Sequence, residues 1–367
     1  MGWWSCVSAR DATAARTPPS RYAVRVSDRV GAVLTRPRLD LDEACATLAR
    51  HWGIDGELRP LPSERDRNFA VGVDGEDRFV LKLSNATEDP AFLDFQHRAM
   101  ARLVAAGVPC QLPVPTVDGQ EVVDVGRDDI PTLARLLTWL PGRPFVTIAA
   151  ADRTDELLRD LGRVMGRTAA ALSTFDHPAA HRIFQWDSER GLGVIAAHAP
   201  AVVDPDRAAL LARWAERLAA LAAAMPGLRH GVIHNDGNDH NVLVDDDGGR
   251  IAGLLDLGDA VHSVVLNELA VPAAYAAFGA VDPLAAIGLV RAGFEEAFPL
   301  AAEERRWLVE MVALRLATSV AMSAHQSVLD PDDAYLTVSE ASAWTLLEGL
   351  IDIDPATAAA RIARESQ

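Results

Sequence analysis

The segment His230–Ala260 reads HGVIHNDGNDHNVLVDDDGGRIAGLLDLGDA. Val232 and Ile233 make a short apolar strand that ends at His234. Asp236 comes next, then Asn241, and Asp256-Leu257-Gly258 with Asp259 closes the stretch. The turn-forming cluster Asp245–Gly249 separates two apolar runs, Asn241–Val244 and Ile251–Leu257, and this predicts a β-hairpin. Antiparallel pairing about that turn sets Asn241 opposite residues 254–256, beside Asp256. One carboxylate then sits on a loop, while an amide and a second carboxylate converge next to it.

That grouping suits phosphoryl transfer. Magnesium takes hard oxygen ligands from the protein together with nucleotide phosphates, and Asn241 and Asp256 supply two. A separate carboxylate, Asp236, is placed to orient an acceptor hydroxyl and take its proton.

Composition narrows the class. With 49% apolar and 24% charged residues the chain is an ordinary globular protein, and no apolar run reaches membrane-spanning length. A net charge of −17 argues against nucleic-acid binding, which needs a basic field. Three scattered cysteines, Cys6, Cys45 and Cys110, fit a reducing cytoplasm with no disulfide framework. Of 35 basic residues only Lys82 is lysine. Where arginine serves everywhere else, a lysine that persists marks a role arginine does not fill.

Residues 1–37 carry six arginines, Pro18-Pro19 and no clean period; the composition suits a transit peptide or an unstructured tail, and we expect the tail. A helix is predicted over Asp40–Trp52, ended by Gly53. Two strands follow, Phe69–Val73 and Arg78–Leu83, joined at Asp74–Asp77, with Lys82 on the second. The polar turn before Phe69 lacks glycine, so phosphate contacts would come from backbone amides or from Ser63, Arg65 or Asn68. Asp89 and Pro90 open a second helix, which carries Gln96 and Asp94 toward the sheet. Strands around Glu121–Val125 and Leu133–Thr138 complete that sheet, and Pro141-Gly142 breaks the chain. Helices are expected over Leu157–Leu172, Ala208–Met225, His262–Phe278, Pro283–Phe298, Ala302–Ala324 and Asp333–Leu350. His177, His181 and His325 lack the spacing of metal ligands.

The order of these pieces, H-x-D-x4-N from His234 to Asn241, D-x-G at Asp256 and a strand lysine in Phe79-Val80-Leu81-Lys82, resembles the kinase template. In this form it is similar to the phosphotransferase family of aminoglycoside and choline kinases. The turn Leu61–Phe69, Asn238-Asp239 before Asn241, and Gly258-Asp259 followed by Asn267-Glu268 resemble its hydroxylysine kinase branch. The resemblance implies an α+β, protein-kinase-like two-lobed fold. Residues 38–138 would form a nucleotide-binding lobe, a small antiparallel sheet with one helix, and residues 139–367 a larger helical lobe. It also implies transfer of the γ-phosphoryl of ATP or GTP, with Mg2+, to a hydroxyl of a small amine or amino acid. Asp236 would be the catalytic base, Asn241 and Asp256 the metal ligands and Lys82 the phosphate clamp. Backbone groups of Thr138–Leu140 would hold the nucleotide base. His234 and Asp259 would brace the loops, and Gln96 or Asp94 would partner Lys82. Asp239, Trp186, Asp187 and Glu268 would line the acceptor site, where an ammonium group favours carboxylates and aromatic faces. Alternatives are an aminoglycoside, homoserine or other amino-alcohol acceptor, and, from another class, a nucleotide-binding regulator without transfer activity.

Overall fold

Asp40 opens the first helix by accepting the amide of Glu43 while the Glu43 carboxylate accepts the amide of Asp40, each at 2.9 Å. This reciprocal cap fixes the start of α1 (Leu41–Trp52), and Gly53 ends it in the left-handed conformation. The computed structural model describes residues 37, 39–63, 66–126, 130–329 and 340–365. The expectations for the N-terminal tail, for Arg65 and for the start of the helix predicted from Asp333 fall outside them.

β1 (Glu57–Leu61), β2 (Arg67–Val73) and β3 (Glu76–Leu83) form an antiparallel meander, and Asp74 and Gly75, both at positive φ, make the tight turn between the last two. After α2 (Pro90–Ala105), β4 (Pro113–Val114) and β5 (Val123–Asp124) both pair with β6 (Leu133–Thr138), which lies against β3. The sheet order is thus β1-β2-β3-β6-β4, with β5 also on β6. Strand alternation gives this sheet two faces. Phe69, Leu81 and Leu136 point to one, where they form a small core with Leu48 and Trp52 of α1. Asn68, Lys82 and Arg135, in register across β2, β3 and β6, point to the other, toward α2.

The second core is larger. It holds α3 (Asp155–Leu172), α4 (Gly191–His198), α5 (Pro205–Ala224), α6 (Asn267–Ala276), α7 (Pro283–Ala297), the short α8 (Ala302–Arg306), α9 (Leu308–Leu329), α10 (Glu340–Ile351) and α11 (Pro355–Arg364). On its cleft side are β7 (Arg143–Pro144), β8 (His230–Ile233), β9 (Val242–Val244), β10 (Ile251–Leu254) and β11 (Val261–Val264). β9 and β10 make the expected hairpin, with a bulge between Ile251 and Gly253, and β7 adds to its edge.

Several local expectations change. Residues 261–264 form a strand rather than the start of a helix, because β8 needs a partner and β11 supplies it in register from Val261–Ile233 to Val264–His230. The helix expected over Ala302–Ala324 divides at Trp307 and runs on to Leu329. β1, β4, α4 and α11 are further elements that the sequence reading passed over.

Candidate active site

The hairpin and the β8–β11 pair bring the motif residues together. His234 leaves β8 fully buried. Its Nε2–H donates to the carbonyl of Leu255 at 2.9 Å, and its Nδ1 accepts the amide of Asp236 at 3.2 Å. One neutral imidazole therefore ties the residue before Asp256 to Asp236, and burial, which lowers the histidine's pKa, keeps it neutral. Asp236 is held on both oxygens. Oδ1 accepts from Asn238 at 3.0 Å and from Arg315 at 2.8 Å, and Oδ2 accepts from Asn241 Nδ2 at 2.7 Å. Burial pushes its pKa up to about 7, with Asp259 and Asp256 adding to the shift while Arg315 opposes it. A carboxylate poised near neutrality is well matched to general-base work.

Asp256 lies at the end of the hairpin with φ of 57°. Its Oδ1 accepts the amide of Gly258 at 2.9 Å and its Oδ2 meets Lys82 Nζ at 3.1 Å. A Cβ at Gly258 would stand 2.9 Å from Asp256 Oδ1, so a side chain there would press on that carboxylate. The Lys82 ammonium holds the Asp256 carboxyl well below the usual carboxylate range, so it is ionised. The amide of Leu255 donates to the carbonyl of Asn241 at 2.7 Å, which places Asn241 beside Asp256 as the predicted register required.

Lys82 is not partnered by Gln96 or Asp94. Arg135, directly across from Lys82, extends to α2 and donates to Gln96 Oε1 at 2.8 Å. Asp94 instead pairs with Arg98 at 2.9 Å and His177 at 3.2 Å. With two cations side by side on the sheet, the carboxylate that answers Lys82 comes from across the cleft.

Of the turn residues, Ser63 Oγ accepts the amide of Asp66 at 3.2 Å, which closes the turn, and Asp66 Oδ1 braces the amide of Asn85 at 3.2 Å. Asn68 stands next to Lys82 with its side-chain oxygen buried and without a donor. At the interlobe strand Thr138 is committed: its amide donates to Leu112 and its carbonyl accepts from Gln111. Trp139 donates its amide to Arg78. The Trp139 carbonyl and the Leu140 backbone are not engaged by these bonds. Ala70, Val80 and Leu137, in register on the Lys82 face, give that end of the cleft an apolar wall.

The remaining predicted residues divide. Glu268 Oε2 accepts the amides of His234 at 2.7 Å and Asn235 at 3.2 Å, and burial raises its pKa to about 7. It therefore holds the His234–Asp236 loop rather than lining a pocket. The Asp259 carbonyl accepts from Asn235 Nδ2 at 3.2 Å, a loop-bracing bond. Asp187 takes the hydroxyl of Ser263 at 2.5 Å, and the indole of Trp186 lies under the Arg315 guanidinium at 4.7 Å. Asp239 is buried, with one oxygen unpartnered and a raised pKa from burial. Sequence reasoning missed Arg135 and Arg315 and gave Asn238 no role of its own. Arg315 carried a usable signal, a charge in the otherwise apolar run Met311–Ala317.

The "Phosphotransferase enzyme family" profile matches residues 57–308. Hydroxylysine kinase of Xenopus laevis is 30% identical over an alignment of 348 positions that covers 87% of this chain and 91% of that protein. Among solved structures, a microcompartment-associated aminopropanol kinase superposes with a TM-score of 0.67 at 20% identity, covering 84% of this chain and 97% of that one. An amicoumacin kinase in complex with AMP-PNP and Ca2+ does so with a TM-score of 0.66 at 15% identity, over 87% and 97%. At these identities the two structures establish the fold.

Proposed function

The chain belongs to the phosphotransferase enzyme family and is a small-molecule kinase; we propose that it moves the γ-phosphoryl of ATP or GTP to the hydroxyl of a small amino acid or amine. Hydroxylysine is the first acceptor to test, since the curated relative is a hydroxylysine kinase. A single observation carries the assignment of roles. Asp236 is bonded to Asn241, and Asp256 to Lys82, so base, amide, carboxylate and ammonium stand in one connected cleft.

In this reading Asp236 accepts the proton of the acceptor hydroxyl as that oxygen bonds to the γ-phosphorus and the bond to the β-phosphate oxygen breaks. Lys82, released in part from Asp256, binds the phosphates, and Asn68 and Ser63 border them. The base rests against Leu140 and the wall formed by Val80 and Leu137. The donor set fits magnesium. Asp256 is an ionised carboxylate, and Asn241, whose nitrogen is spent on Asp236, keeps its amide oxygen, a hard donor. Bound there, Mg2+ would offset phosphate charge. His234, Glu268 and Asp259 keep the loops in place. The nucleotide lobe ends near Thr138 and the acceptor lobe follows it. Cys45 and Cys110 are free thiols, and no helix among the described residues is long and apolar enough to cross a membrane; both accord with a cytoplasmic enzyme.

The test is nucleotide consumption with ATP and GTP against 5-hydroxylysine, homoserine, ethanolamine, choline and kanamycin, for wild type and Asp236→Asn. The wild type should turn over at least one acceptor, and the variant should lose at least ~100-fold in kcat with nucleotide binding retained. A variant that kept most of its turnover would remove Asp236 from the role of base.

A further inference from the structure

Arg182 lies half-buried in the irregular segment between α3 and α4, with Ile183 beside it turned out to solvent. Its guanidinium packs against two phenylalanine rings, Phe92 at 3.9 Å and Phe184 at 4.1 Å. From there one terminal nitrogen donates to the carbonyl of Gly258 at 2.8 Å. A planar guanidinium held on aromatic faces keeps its N–H groups in a fixed fork, so the two rings set where that donor points. Phe92 belongs to α2, which rests on the helical body: Phe95 stacks on Phe175, and Asp94 meets His177 at 3.2 Å. The same helix holds Arg135, the neighbour of Lys82, through Gln96. α2, Arg182 and Gly258 thus form the back of a circuit of contacts whose front is the Lys82–Asp256 pair.

This circuit bears on a strained residue. Asp256 has φ of 57°, a conformation that costs a non-glycine residue free energy and persists only where the surroundings hold it. Two contacts grip its carboxylate, Lys82 at Oδ2 and the amide of Gly258 at Oδ1. Gly258 is itself gripped at its carbonyl by Arg182. When Lys82 turns to nucleotide phosphates, the first grip weakens, and the hold on the turn passes to Gly258 and so to Arg182.

We propose that Arg182 is a positioning residue for metal binding: acting through Gly258, it keeps Asp256 in its metal-binding conformation once Lys82 has turned to the phosphates. The inference rests on the reading of Asp256 as a metal ligand. It extends that reading to a side chain 76 residues from Gly258 and makes α2, through Phe92, part of the support of the metal site. Groups that orient a metal ligand from behind set the affinity for the ion although they do not touch it.

The test compares wild type, Arg182→Leu, Arg182→Lys and Asp256→Ala. Amide hydrogen exchange is recorded with neither metal nor nucleotide present, and Arg182→Leu should speed exchange of residues 255–260 by ~5-fold or more while α7 exchanges as in wild type. Melting temperature is then followed against Mg2+ at a fixed concentration of AMP-PNP. The Mg2+ concentration at half the shift should rise ~10-fold or more in Arg182→Leu. Arg182→Lys keeps a cation on the two rings and a donor within reach, and should return that midpoint to within about threefold of wild type. The proposal requires faster exchange and the raised midpoint together. Either one alone, neither, or a loss that Arg182→Lys does not lessen would overturn it. If Arg182→Leu does not fold, Phe92→Leu, which strips one ring from the guanidinium, decides by the same two measurements, with a midpoint raised ~3-fold as the expected result and wild-type behaviour as the contrary one. Asp256→Ala separates the two readings. If it loses the magnesium-dependent shift while Arg182→Leu keeps the wild-type midpoint, only the role of Arg182 falls; if it keeps the wild-type midpoint, the metal lies elsewhere and both readings fall.

Discussion

Glu268 shows how one buried side chain sets a condition on the whole site. It accepts two consecutive backbone amides of the catalytic loop on one oxygen, and its other oxygen is buried without a donor. Burial outweighs those two amide bonds, which favour the carboxylate, and raises the pKa from 4.5 to about 7. Because the folded-state pKa is raised, the stabilisation from protonated Glu268 is complete below about pH 4.5 and is lost as pH rises through about 7. Glu268→Gln does not titrate. The stability difference between wild type and variant in urea unfolding should therefore move by roughly 3 kcal/mol against the wild type between acidic and mildly alkaline buffer. A difference independent of pH would show that Glu268 is ionised throughout. The identity of this brace was visible in the sequence only as an acid after Asn267. Its role was not, because 34 residues separate it from the amide of His234.

At the scale of elements, the loop that carries Asp236 rests on a helix pair whose contact depends on glycine. A Cβ at Gly293 of α7 would stand 1.9 Å from the carbonyl of Arg159 in α3, and one at Gly162 would stand 1.9 Å from the carbonyl of Val290. The two backbones touch, so neither position has room for a methyl group. α3 in turn reaches the site. Asp160 accepts the amide of Ile251 at 2.8 Å, and Met165 lies against Gly237 of the loop. Gly293→Ala should cost about 3 kcal/mol or more, because backbone rather than a pliable side chain must move. Thermal unfolding would check this, and a melting temperature within about a degree of wild type would mean that α7 shifts freely. A second expectation concerns α2. Gln96→Leu removes the acceptor of a fully buried Arg135 and should cost about 1–3 kcal/mol in the same measurement. The hairpin was legible because its turn and both strands lie within 15 residues, Asn241 to Leu255. β11 was not, since its partner β8 precedes it by a whole hairpin and its own residues also suit a helix.

For the whole molecule a central contact is Lys82 with Asp256, 174 residues apart and one of the links between the sheet and the helical body. A ligand that binds across this cleft stabilises the folded chain by mass action, about 2.7 kcal/mol at a concentration 100 times its Kd. ATP or GTP with Mg2+ should therefore raise the melting temperature of wild type by a few degrees. In Asp256→Ala the magnesium-dependent part of that shift should vanish. A full shift in the variant would place the metal elsewhere. The basis of the expectation is local chemistry, an ionised carboxylate and an amide oxygen held side by side, read in one place and tested on the entire protein.

The sequence by itself determined the hairpin that brings Asn241 beside Asp256, the strand that carries Lys82 and the two-part order of sheet and helices. Those features are written in spacings of a few residues, where strand period, turn residues and caps act directly on neighbours. Tertiary structure alone decided which charges meet. It gave Lys82 to Asp256 instead of Gln96 or Asp94, set Arg135 on Gln96, and carried Arg315 to Asp236 from 79 residues away. Such pairings depend on where distant elements pack. A buried charge takes its partner from whatever the fold brings within hydrogen-bond reach, and no local pattern along the chain encodes that distance.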